Sequence, residues 1–194
     1  MLVRHAPHPD VGVALTGRGP GSSLGAAGWQ EAERLSERLA SQVVDAIYAS
    51  PRERACETAG AIAVRTGCEV TIAEALDEID FGDWTGATFA DLAGDPRWSN
   101  WNQRRAAGCP PGGEPMAAVQ GRVVDQIAAW RDLHEGGRVV AVSHQDVIKA
   151  ALCHVLGLSL DRHDTFDVDP ASVSTLVAWQ GGAKVVSLNG RGQA

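Results

Sequence analysis

Val139-Val140-Ala141-Val142 is a run of four apolar residues closed by Ser143-His144, and it constrains this chain more than any other stretch. A run that short, mostly β-branched and apolar on both faces, reads as a strand buried inside a sheet. Gly136-Gly137 punctuates the chain before it, and Gln145 to Leu156 has helical character up to Gly157. Strands that alternate with helices in this way build a parallel sheet. The polar pair then lies at the strand's carboxyl end, where open α/β sheets bind ligands.

The same unit recurs upstream. Leu2-Val3 suits a short buried strand, and Pro7 cannot continue it, so Arg4 and His5 fall at its carboxyl end. Ala46 to Ala49 reads as a second strand running into Ser50-Pro51. Ser50 is placed to cap the next helix and Pro51 to enter its first turn, with the helix ending at Gly67. Residues 69–72 form a third strand. Trp29, Ala32, Leu35 and Leu39 recur at helical spacing, and so do Val119, Val123, Ile127 and Trp130 within a helix from Glu114 to His134. Residues 173–178 and 185–188 flank Gly181-Gly182 as a hairpin. The expected fold is a three-layer α/β/α domain with a mostly parallel central sheet and an antiparallel edge strand. With no repeat and no separating linker, residues 1–194 are read as one domain.

The net charge of -7, without a long basic run, argues against a nucleic-acid backbone as partner. No apolar run approaches the ~20 residues of a membrane span. The first residues lack the regions of a signal peptide, so the cytoplasm is the expected location. Cys56, Cys68, Cys109 and Cys153 are scattered and form no C-x-x-C pair, which favours buried or partly buried free thiols over a zinc site or disulfides. His134, His154 and His163 fall on no metal-ligand spacing and are read as structural.

Four segments carry the chemistry: Arg4-His5, the run SPRERACETA from Ser50 with Arg54 near a helix start, the carboxylate-rich LDEIDFGDWTG from Leu76, and VSH ending at His144. Three of them lie at strand carboxyl ends, on one rim of the sheet. Together with LVRHA and PGGEP, in this order, they resemble the histidine phosphatase superfamily, also called phosphoglycerate mutase-like, over most of the chain.

That resemblance implies a phosphomonoester phosphatase that needs no metal or other cofactor. His5 would be the nucleophile that carries the phosphoryl group, Arg4 and Arg54 would bind phosphate oxygens, and His144 would support the transferred group. Glu78 would be the acid and base, although Asp77, Asp80 and Asp83 are rivals that spacing does not separate. The backbone N–H of Gln145, at a helix start, would add a donor. A phosphoglycerate mutase-type phosphomutase and a non-catalytic phospho-ligand module are the alternative readings. The expected partner is a small phosphorylated metabolite, and a homodimer stays open.

The chain departs from the family pattern at Ala6 and Gln145, where glycine is usual, and between Pro7 and Gly12, where the usual Asn is absent and His8 is the polar side chain at hand. These changes bear on substrate fit more than on transfer chemistry. Read singly, residues in these segments have plainer roles: Arg52 as a solvated helix residue, and Glu114 as a helix start favoured by the dipole, although the PGGEP resemblance implies a structural or supporting role for Glu114. Trp84, Trp98 and Trp101 are placed in core or cap packing, with a substrate mouth as the alternative.

Overall fold

Apolar alternation along short strands places two helical layers on a six-stranded sheet. The computed structural model describes residues 1–191. In chain order the elements are β1 (Leu2–Arg4), α1 (Ala26–Ala40), β2 (Ala46–Ala49), α2 (Glu53–Thr66), β3 (Val70–Ile72), α3 (Phe89–Leu92), α4 (Pro96–Gln103), α5 (Met116–Leu133), β4 (Val139–Ser143), α6 (Gln145–Leu156), β5 (Val173–Trp179) and β6 (Gly182–Gly190). The strand order is β3-β2-β4-β1-β5-β6. The first four strands are parallel, while β5 runs against β1 and pairs with β6 as an antiparallel edge pair.

Successive strand residues face opposite sides. Val3, Ile47, Ala49, Val140 and Val142 pack with Leu35, Leu39, Ala55, Ala59 and Ile62 of α1 and α2. Leu2 and Ala141 pack on the other side with Met116, Val119, Val123 and Trp130 of α5 and with Ile148 and Leu152 of α6. Among the described residues, no helix is long and apolar enough to cross a membrane.

Register sets up the rim. Arg4 lies opposite Ser143, so His5 and His144 leave adjacent parallel strands side by side, with His5 N–H donating to Ser143 O at 2.9 Å. Ala49 lies opposite Val142, which brings Ser50 to the same edge.

Several local expectations are corrected. Trp29 is 46% exposed, and Gly28 takes the inward place. A Cβ there would stand 2.0 Å from Pro7 O, so the loop after β1 seats against α1 only because that residue is glycine. Ser50 does not cap α2: Arg52 is the N-cap, without a side-chain cap bond. The helix expected from Glu114 begins at Met116, after Pro115. Cys109 is exposed, whereas the other three free thiols are buried or partly so.

Candidate active site

His5 is 3% exposed. Its Nδ1 stands 2.8 Å from the carbonyl oxygen of Ala6, which can only accept, so Nδ1 holds the proton and Nε2 the lone pair. Ala6 N–H donates to Thr58 Oγ1 at 3.0 Å, tying the loop after β1 to α2. Burial first, and then the charge of Arg54, hold the His5 pKa well below the usual histidine range. The imidazole is therefore neutral at ordinary pH.

Arg54, in the first turn of α2, is fully buried and spends its donors on four acceptors. Nε donates to His5 Nε2 at 3.3 Å, Nη1 to Ser22 Oγ at 2.5 Å, and Nη2 to Gly17 O at 3.0 Å and His144 Nδ1 at 3.1 Å. Since His144 Nδ1 accepts, its Nε2–H donates to Ser50 Oγ at 2.7 Å. The same hydroxyl accepts the N–H of Arg52 at 3.3 Å, so it serves the imidazole and a turn just ahead of α2 rather than an N–H within the helix. His144 is also held neutral, by burial and then by Arg54. Its ring centroid lies 5.1 Å from that of His5. Arg4 donates from Nη1 to Val168 O at 2.7 Å, and its buried Nε has no partner among the described residues.

Glu78 follows a 3-10 turn at Glu74–Leu76. Its Oε1 accepts from Ile79 N–H at 2.9 Å, and Oε2 lies 3.6 Å from His144 Nδ1. Burial, then repulsion from Asp146, raise its pKa to about 7 against the opposing pull of Arg54 and Arg4. The main chain is clamped as well. Arg18 Nε and Arg122 Nη2 donate to Glu78 O at 2.7 and 3.4 Å, and both arginines also grip Glu114. Asp77 pairs with Arg52 and Arg18 at 2.9 and 3.4 Å. Arg52 is thus bound, contrary to the expectation of a solvated residue.

His5, Arg4, Arg54, Glu78 and Gln145 all line one cavity of about 220 Å³. The fully buried His144 sits behind it, against His5, Arg54 and Glu78. Trp98 and Trp101 form part of its wall, while Trp84 packs in the core beside them. His163, expected to be purely structural, also reaches the cavity. Sequence reasoning missed Arg105 on the far wall, whose guanidinium lies 3.3 Å over the Trp101 ring and donates to Asp146 Oδ1 at 2.9 Å. It also missed Ser22, Arg18 and Arg122. Ser22 and Arg18 show only polarity or charge in a stretch without periodicity, and Arg122 sits on a periodic helix whose spacing does not reveal its polar partners. A larger open groove beside Met1, Val139 and Trp179 at the other end of the sheet contains none of these groups.

The arrangement puts a neutral imidazole with a directed lone pair among guanidinium groups and beside a carboxyl group that titrates near neutrality. Such a set can supply a nucleophile, an anion cradle and an acid–base group. The model of the family described as Histidine phosphatase superfamily (branch 1) matches residues 1–191. The chain is 32% identical over 181 residues to phosphoserine phosphatase 1 of Hydrogenobacter thermophilus, covering 91% of this chain and 84% of that one. It is 28% identical to the adenosylcobalamin/alpha-ribazole phosphatase of Escherichia coli, over 98% of this chain and 95% of that one. The solved structure of mycobacterial glucosyl-3-phosphoglycerate phosphatase with VO3 is similar at a TM-score of 0.89 and 25% identity, covering 98% of each chain.

Proposed function

The chain belongs to the histidine phosphatase superfamily (branch 1), and from that premise we propose that it hydrolyses small phosphomonoesters through a phosphohistidine on Nε2 of His5. The observation that carries the proposal is the tautomer of His5, proton on Nδ1 and lone pair on Nε2 beside Arg54.

In the first step the Nε2 lone pair attacks phosphorus and the bond to the ester oxygen breaks. Glu78, protonated, gives its proton to the departing alkoxide. In the second step Glu78, now a carboxylate, takes a proton from water as the water oxygen attacks phosphorus and the P–N bond breaks. Inorganic phosphate leaves and His5 is restored. A carboxyl group with a pKa of about 7 suits both halves of this cycle near neutral pH.

Phosphoryl transfer asks mainly for positioning and for charge around the equatorial oxygens. Arg54 would pass its Nε–H from His5 to one such oxygen, and the unpartnered Nε of Arg4 would serve another. The Gln145 N–H opens α6 at the same rim, where a helix start favours an anion. These residues supply the positive charge, and the proposed cycle uses no metal.

The cavity, about 220 Å³, is smaller than the ~300–1,000 Å³ of drug-sized ligand sites, which supports a small leaving alcohol. The relatives act on different alcohols by name, so substrate identity is a matter for measurement. The test is phosphate release from a panel including phosphoserine, 3-phosphoglycerate, glycerol phosphate and alpha-ribazole phosphate, with and without EDTA. Release that persists in EDTA is expected. No release from any ester, conversion of phosphoglycerate to an isomer in place of phosphate release, or loss of turnover in EDTA restored by added metal would each overturn part of this reading.

A further inference from the structure

His8 lines the cavity, and the steps above make no use of it. It is 7% exposed, and its Nδ1 has no hydrogen-bond partner among the described residues. The nearest carboxylate, Asp10 Oδ2, lies 3.9 Å away, beyond hydrogen-bond reach. Buried polar atoms are normally partnered, and a buried imidazole in the cavity wall whose Nδ1 has no partner among the described residues keeps hydrogen-bonding capacity for a ligand.

Its position points to the transferred group rather than to the leaving alcohol. The His8 and His5 ring centroids lie 5.5 Å apart, with the planes tilted by 38°. The leaving oxygen departs in line on the side of phosphorus away from His5, so a ring this close to His5 is nearer to the non-bridging oxygens than to the leaving alcohol.

The loop also holds the ring in place. Pro7 and Pro9 flank His8 and restrict the backbone on both sides. Pro7 O is seated against Gly28, and Pro9 approaches Gly25, both at the start of α1. His8 is therefore presented on a stiff segment rather than a free loop. Burial, and next the charge of Arg54, lower its pKa to about 4, so it enters neutral, with one N–H donor and one acceptor.

We infer that His8 is a substrate-binding residue whose ring N–H donates to a non-bridging oxygen of the phosphoryl group as it approaches His5. The inference rests on the phosphatase reading of the cavity, and its test is built to fail separately from it. Inorganic phosphate and vanadate are titrated by calorimetry into wild type, His8→Ala and His8→Asn, the last retaining an N–H donor. Kinetics follow on phosphoserine and p-nitrophenyl phosphate, which share the phosphoryl group and differ in leaving group.

Loss of one such donor is expected to weaken both anions about tenfold. His8→Ala should lower kcat/KM by a similar factor for both substrates, and His8→Asn should recover most of the loss. Unchanged anion binding in a folded His8→Ala protein overturns the inference, and so does a defect confined to one leaving group. Anion binding by wild type without release from any ester would tell against the phosphatase reading while leaving the His8 measurement intact.

Discussion

The Nε–H of Arg54 donates to Nε2 of His5 across 3.3 Å, joining two buried side chains 49 positions apart. The lone pair that the proposed reaction needs is thus engaged by a guanidinium before substrate arrives. Three more of the five N–H donors of Arg54 are held by Ser22, Gly17 and His144, which fixes the plane of the fork. Its orientation is set by the fold before substrate binds, and only the long Nε–H bond to His5 has to be exchanged for one to a phosphoryl oxygen.

Arg54→Lys keeps a positive charge but loses the fork. By comparison with other preorganised donors, kcat/KM should fall on the order of 10²–10³. Mass spectrometry after an acid-free quench should find phosphate on His5 in wild type. Phosphate on His144, together with an active His5→Ala protein, would reverse the two histidine assignments.

Ser50→Ala tests the tautomer of His144. With the hydroxyl gone, Nε2–H is left in a fully buried place without its acceptor. Leaving a buried donor unsatisfied costs about 1–3 kcal/mol, which urea unfolding resolves. A variant as stable as wild type would mean that His144 does not donate to Ser50.

Much of this could be read in the sequence because it follows from strand ends. Leu2-Val3 and Val140 to Val142 are buried on both faces and read as apolar runs, which fixes where His5 and His144 emerge. What stayed hidden depends on distant partners. Ser50 before Pro51 carries a helix-cap signal whether its hydroxyl meets a backbone N–H or an imidazole 94 residues on. Arg105 finds Asp146 41 positions away, and Arg18 finds Glu114 96 positions away. Charge alone places Glu114 at a helix start, and only the PGGEP resemblance implies a supporting role; which arginines its two oxygens bind depends on distant partners. Trp29 fitted the apolar stripe of α1, but the close approach of Pro7 O gives the inward place to Gly28.

Glu114→Ala releases Arg18 and Arg122, which otherwise hold the carbonyl of Glu78. Glu114 is not among the residues that line the cavity, so anion binding should be kept. The expected defect is in kcat, about tenfold, from a displaced carboxyl group. Phosphate affinity measured beside kcat separates the outcomes: equal losses in both would mean a general collapse of the loop, not a misplaced Glu78.

Glu78 allows the sharpest test, because one property has two independent consequences. Its pKa is raised from 4.5 to about 7, mainly by burial and next by Asp146. Below about pH 4.5 it is neutral in both folded and unfolded chains and adds no pH dependence. Between 4.5 and 7 the unfolded chain has released this proton while the folded chain still holds it. Stability contributed by this group therefore falls as pH rises through that window and levels off above about 7. At ~1.36 kcal/mol per pKa unit the effect is a few kcal/mol at most. Glu78→Gln cannot titrate, so the variant should gain on wild type between pH 5 and pH 8 in urea unfolding, with the other groups cancelling in the difference. The same variant should hydrolyse an alkyl phosphate far more slowly than p-nitrophenyl phosphate, relative to wild type, because a nitrophenolate leaves without a proton. Burst-phase measurement isolates the step that phosphorylates His5. A stability difference that stays flat from pH 5 to pH 8 would make Glu78 an ordinary ionised carboxylate, with no proton to give. Equal slowing of both substrates would leave it a positioning group, and Asp80 and Asp83, on the same loop, would be the next acids to replace.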